Sequence, residues 1–153
     1  MPAHHAQDED KPCRACSDFK TWAKTQNKVT FTNKQAKATA VDCPLDREEL
    51  GKATWSFLHS MAAYYPEKPT KTQASDMARF FNIFAQFYPC KPCSSDLVEQ
   101  IKKHPPLTRT RQELEQWLCE RHNHVNIRLG KPVFDCSKVQ ERWRDGWSDG
   151  TCG

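Results

Sequence analysis

The chain has 153 residues, 37% hydrophobic and 27% charged, enough for one domain with a core of its own. No apolar run approaches the ~20 residues of a membrane span. The net charge of +4 is spread along the chain rather than gathered on the basic strip of a nucleic-acid binder. Membrane insertion and nucleic-acid partners are therefore not expected. Met1 to Lys11 is acidic and His-containing, and reads neither as a secretory signal nor as an Arg-rich amphipathic presequence, so either no targeting segment exists, or it was removed, or import uses another route.

Residues 1–42 hold few large apolar side chains beyond Phe19, Trp22, Val29 and Phe31, too little apolar area for a core. They are expected to form a flexible N-terminal arm carrying Cys13-Arg14-Ala15-Cys16, ahead of a folded domain at 43–153. From Asp46, a plausible N-cap with Glu48 and Glu49 behind it, helical spacing begins. Leu50, Phe57, Leu58, Met61, Ala62 and Tyr65 form its apolar series, and Pro66 and Pro69 end it. Met77, Phe80, Phe81, Phe84 and Tyr88 mark a second helix closed by Pro89. A short third begins at Cys90 with Leu97 and Ile101. The fourth starts near Thr110, sets Leu114, Trp117, Leu118, Val125 and Leu129 on one side, and stops at Gly130. A fifth, short helix starts near Asp135 and includes Val139, Trp143 and Trp147. No strand pattern is evident, so the fold class is all-α: a four-helix bundle with a short fifth helix.

Cysteine carries the chemical information. Eight are present, and an even count in a chain this size points to disulfides or metal. Cys90-Lys91-Pro92-Cys93 opens a helix, where unpaired N–H groups and the helix dipole favour thiolate, as thiol–disulfide exchange requires. A stapling disulfide or half of a zinc site are the alternatives. Cys13 and Cys16 sit on the arm, and the 27 residues from Cys16 to Cys43 span roughly 30 Å if flexible. The pair suits a shuttle to a redox centre. Cys119 and Cys136 lie on the fourth helix and at the start of the fifth, placed to clip the two together. Cys43 and Cys152 flank the core and suit a pairing within the chain or across a dimer. Polar side chains at helical spacing, Trp55 with His59 and His122 with Asn126, suggest a planar hydrogen-bonding ligand between helices, against the plainer alternative of a satisfied buried histidine. No glycine-rich phosphate loop is present.

Several motifs in order resemble the Erv/ALR family of FAD-linked sulfhydryl oxidases. They are Arg47-Glu48-Glu49-Leu50-Gly51-Lys52-Ala53-Thr54-Trp55 with His59, Tyr88-Pro89-Cys90-Lys91-Pro92-Cys93, His122-Asn123-His124-Val125-Asn126 through Leu129-Gly130-Lys131-Pro132, and Arg142-Trp143-Arg144-Asp145-Gly146-Trp147. The resemblance implies FAD held at the mouth of the bundle, with Cys93 against the isoalloxazine and Cys90 as the interchange thiol. Positions matching the family's flavin contacts are Arg47, Gly51, Lys52, Trp55, His59, Tyr88, Cys119, His122, Asn123, Val125, Asn126, Leu129, Lys131, Arg142 and Trp143. It also implies a structural Cys119–Cys136 disulfide, a homodimer bridged by Cys43 and Cys152, and no metal. Electrons would pass from substrate thiols through Cys13/Cys16 and Cys90/Cys93 to FAD, then to molecular oxygen, giving hydrogen peroxide, or to cytochrome c. The implied donor is an import oxidoreductase with a Cys-Pro-Cys centre. The implied place is the mitochondrial intermembrane space, with an additional cytosolic or extracellular pool left open.

Overall fold

The computed structural model describes residues 43–152. The arm motif at Cys13 and Cys16 lies outside the described residues. Local chemistry fixes where each helix begins. Helix α1, Arg47–Ala63, opens on a reciprocal cap: Glu49 N–H donates to Asp46 Oδ1 at 2.8 Å, and Asp46 N–H donates to Glu49 Oε2 at 3.1 Å. Helix α2, Lys71–Phe87, repeats the device with Thr70 and Gln73. It stops at Tyr88, whose extended backbone suits the residue before Pro89. Helix α3, Lys91–Lys103, has Cys90 at its N-cap and ends in a basic last turn, which complements the dipole. Helix α4, Arg111–Arg128, is capped by Thr110, whose Oγ1 accepts from Glu113 N–H at 3.1 Å. Gly130 follows with φ +66, a left-handed conformation open to glycine, and turns the chain back.

Helix α1 lies against α4, and α2 against α3. Their shared core is Leu58, Ala62, Tyr65, Phe81, Ala85, Ile101, Leu114, Trp117 and Leu118. The polar atoms of the two large core aromatics are satisfied: Tyr65 Oη donates to the Thr108 carbonyl at 3.0 Å and Trp117 Nε1 to the His104 carbonyl at 2.9 Å. Among the described residues there is no strand, and the architecture is all-helical as expected. No described helix is long and apolar enough to cross a membrane.

Three sequence expectations need correction. Phe57 belongs to the apolar series of α1 but is 60% exposed, because the buried stripe runs through Leu58, Ala62 and Tyr65 and leaves Phe57 one residue off it. Leu129 is 56% exposed at the helix end and faces a cavity instead of the core. The short fifth helix is present but stops before Trp147, which the sequence pattern includes in it. A 3-10 turn at Cys136–Lys138 continues through Val139 and Gln140 into a π turn at Glu141–Asp145. Gly146, at φ +83, ends it before Trp147.

Candidate active site

Helix α1 carries Arg47, Gly51, Trp55 and His59 four residues apart, so they form one stripe. This stripe faces the cavity wall made by Cys119, His122, Asn123, Val125, Asn126 and Leu129 of α4. Lys52, Lys131, Tyr88, Cys93, Arg142 and Trp143 complete a cavity of about 930 Å³. Every position matched by resemblance to a flavin contact therefore lines one space. Its size is that of a cofactor site.

The cavity holds four stacked rings. Trp55 lies flat on His122, centroids 4.1 Å apart, and His59 lies flat on Trp143 at 4.7 Å. His59 Nε2 and His122 Nδ1 are 2.9 Å apart, so one ring donates and the other accepts. Two imidazolium rings cannot make that bond. Burial, then the neighbouring His122 and Arg142, pushes His59 down to about 3. Burial, then Lys131, pushes His122 down to about 4. Both rings are neutral at ordinary pH.

Positive charge collects on the same lining. Arg47, Lys52, Lys131 and Arg142 contribute to it. Glu48 lies 3.2 Å from Lys52 Nζ and 3.9 Å from Lys131 Nζ, and Arg142 covers the Trp143 ring at 4.1 Å. Arg121 spends Nη1 on Gln100 Oε1 at 3.1 Å, while its buried Nε has no hydrogen-bond partner.

Cys90 and Cys93 are joined in a disulfide. Cys93 lines the cavity and Cys90 does not. Cys93 occupies the third helical position of α3, where free N–H groups and the positive end of the dipole lie. Ser94 fastens this turn to α2 by donating to the Ala85 carbonyl at 2.6 Å. A disulfide leaves neither sulfur as a zinc-binding thiolate, and no cluster of potential metal ligands occurs among the described residues. Cys119 and Cys136 form the second disulfide. Cys43 is exposed and Cys152 half-buried.

Asn123 lines the cavity with its amide already engaged. Its Nδ2 donates to the Phe134 carbonyl at 2.8 Å and its Oδ1 accepts from Phe134 N–H at 2.9 Å. Sequence reasoning missed Asp96, Leu97 and Gln100 of α3 and Arg121 and Arg128 of α4, which also line the cavity. For the α3 residues a signal existed: Asp96, Leu97 and Gln100 stand three, four and seven residues after Cys93, on its helix face. Phe134, another lining residue, lies in a loop and offered no periodicity to find it.

The model of the Erv1 / Alr family matches residues 52–144, which contain both disulfides and most of the lining. The chain belongs to the Erv1 / Alr family. The mitochondrial FAD-linked sulfhydryl oxidase ERV1 of Saccharomyces cerevisiae is 37% identical over 166 residues, covering 93% of this chain and 88% of that protein. The mitochondrial FAD-linked sulfhydryl oxidase erv1 of Schizosaccharomyces pombe is 39% identical over 150 residues, 82% of each. Among solved structures, the FAD-binding domain of Erv1 from S. cerevisiae superposes with a TM-score of 0.66 at 46% identity, covering 69% of this chain and all of that one. Within the Erv1 / Alr match, Lys52 and Trp143 stand near the two ends, and Arg47 and Gly51 precede it.

Proposed function

We propose that this chain is an FAD-linked sulfhydryl oxidase whose working disulfide is Cys90–Cys93. One observation carries the proposal most: a helix-start disulfide has one of its residues, Cys93, in the lining of a cavity built from flat rings and cations. The lining fits FAD chemically. Stacked aromatic and imidazole rings suit a fused planar ring system, and neutral histidines can donate or accept hydrogen bonds. Arg47, Lys52, Lys131 and Arg142 suit a diphosphate. Relatives named as FAD-linked sulfhydryl oxidases support the same conclusion.

The chain's own part in the reaction is disulfide exchange and charge placement. A substrate thiolate attacks the Cys90 sulfur, which lies off the cavity, and the Cys93 sulfur leaves as thiolate. The N–H groups and dipole at the start of α3 stabilise that thiolate where it is released. A second substrate thiolate displaces Cys90, so the substrate departs as a disulfide and Cys90 and Cys93 remain as a dithiol. Held by the stacked rings and by Arg47, Lys52, Lys131 and Arg142, FAD would supply a two-electron acceptor for the pair that the Cys90–Cys93 dithiol releases, with two protons, as its disulfide re-forms. The final acceptor would be molecular oxygen, taking both electrons with two protons as hydrogen peroxide, or two cytochrome c molecules, taking one electron each.

The wider setting follows the same proposal. An import oxidoreductase with a Cys-Pro-Cys centre supplies the thiols, Cys13 and Cys16 are reduced by them and pass the electron pair to Cys90–Cys93 by a second exchange, and Cys43 and Cys152 bridge a homodimer. The mitochondrial intermembrane space is the site of action, supported by the mitochondrial names of the S. cerevisiae and S. pombe relatives. The test is the visible spectrum of the purified protein before and after dithiothreitol in air. Flavin absorption that bleaches and returns as oxygen is consumed is the expected result. A colourless protein whose cysteines titrate as zinc ligands would overturn the proposal.

A further inference from the structure

Glu115 is 3% exposed and stands on the side of α4 turned toward the returning chain. A carboxylate in such a position needs a structural reason, because burial without partners is costly. Its Oε2 accepts from Gln140 Nε2 at 3.1 Å, and its Oε1 has no hydrogen-bond partner. Burial raises its pKa, against the opposing pull of the Gln140 bond and of Arg111 and Arg144, and Asp145 raises it further.

The placement of this bond is regular. Glu115, Cys119 and Asn123 are four residues apart, on one stripe of α4. Each holds a successive point of the returning chain by a different chemistry. Asn123 pairs with both peptide groups of Phe134, Cys119 is bonded to Cys136, and Glu115 accepts from Gln140. Gln140 is also the residue immediately before the π turn that brings Arg142 and Trp143 to the cavity. A lone disulfide leaves rotation about its own bonds. A further contact one helical turn away removes that freedom and fixes how the π turn faces.

We propose that Glu115 is a positioning residue for the cofactor site: with Gln140 it sets the orientation of the π turn, so that Trp143 stacks on His59 and Arg142 stays on the lining. The inference rests on the FAD reading of the cavity. Glu115 is not itself a lining residue and touches no reacting atom.

The test uses the holoprotein and three variants, Glu115→Leu, Gln140→Ala and Glu115→Gln. In Glu115→Leu and Gln140→Ala, the flavin dissociation constant should rise about tenfold, the size of one lost buried hydrogen bond. Amide exchange over residues 139–145 should accelerate by a similar factor while the Cys119–Cys136 disulfide stays intact. Glu115→Gln keeps an acceptor oxygen for Gln140 and should restore both values to within about twofold. A merely space-filling Glu115 would leave Gln140→Ala unaffected, and its non-folding cannot mask the result because Gln140 is half-buried. Wild-type exchange rates in Gln140→Ala would overturn the proposal whatever the flavin does. A wild-type chain that binds no flavin would overturn the oxidase reading instead, and the exchange data would still decide the anchor.

Discussion

His59 and His122 hold one proton between Nε2 and Nδ1, 2.9 Å apart, in a stack with two tryptophans. Their pH dependence follows from that arrangement. Both are lowered from 6.5, to about 3 and about 4, first by burial. The unfolded chain therefore binds protons that the folded chain refuses. Stability from these rings is complete above pH 6.5 and is lost as pH falls below it, down to about 4 for His122 and about 3 for His59. The slope approaches about 1.4 kcal/mol per pH unit for each ring between its unfolded and folded pKa, and the window is narrower for the half-buried His122, whose shift solvent screens. Urea midpoints at steps through this window should fall steeply in the native chain. They should fall less in His122→Asn, which removes one titrating ring. A native profile flat across the window would show that the rings take up protons while folded. At Cys93 the expectation concerns chemistry. Cys93→Ser should leave bound flavin oxidised under excess dithiothreitol, because no dithiol can form at the cavity wall. Bleaching at the native rate in stopped flow would count against the assigned working disulfide.

Element boundaries were legible because their causes are local. Asp46 with Glu49, Tyr88 before Pro89, Thr110 with Glu113, and Gly130 are each decided within a few residues. The cap of Thr70 with Gln73 is equally local, but it lies ahead of the apolar spacing that marks α2. The site stripe of α1 was half-legible: Trp55 and His59 broke the apolar pattern, and the resemblance brought in Arg47 and Gly51. Contacts between elements were not legible, since no spacing places Gln140 against Glu115 or Phe134 against Asn123. Trp147 was misplaced because a π turn stopped by Gly146 does not keep the 3.6-residue period. The turn after α4 gives an element-scale prediction. A Cβ on Gly130 would meet nothing within 4 Å, so Gly130→Ala is opposed only by its φ of +66. It should cost about 1 kcal/mol in denaturant unfolding. A loss several times larger would mean that the turn also makes contacts a methyl group disrupts.

At the scale of the molecule the chain carries two Cys-x-x-Cys pairs, and the proposed function gives them different tasks. Cys90–Cys93 stands at a helix start beside a cavity that suits FAD, so it must exchange with whatever thiol arrives. A small dithiol can reach Cys90 directly. A folded protein substrate must bring its cysteines to the same half-buried sulfur, against its own bulk. In the proposed relay Cys13 and Cys16 would relieve that conflict, because the large substrate would exchange with them and they in turn with Cys90. The two routes can be separated kinetically. Cys16→Ser should oxidise dithiothreitol at close to the native rate. With a Cys-Pro-Cys protein substrate it should lose about tenfold or more in kcat/KM, a loss of over 1.4 kcal/mol in transition-state stabilisation. Oxygen consumption with each substrate in parallel measures both. Equal losses with the two substrates would indicate a damaged core, and native turnover of the protein substrate would remove Cys13 and Cys16 from the route. The unequal result is the one a relay requires, since an intermediate carrier matters only to a donor that cannot reach the final disulfide itself.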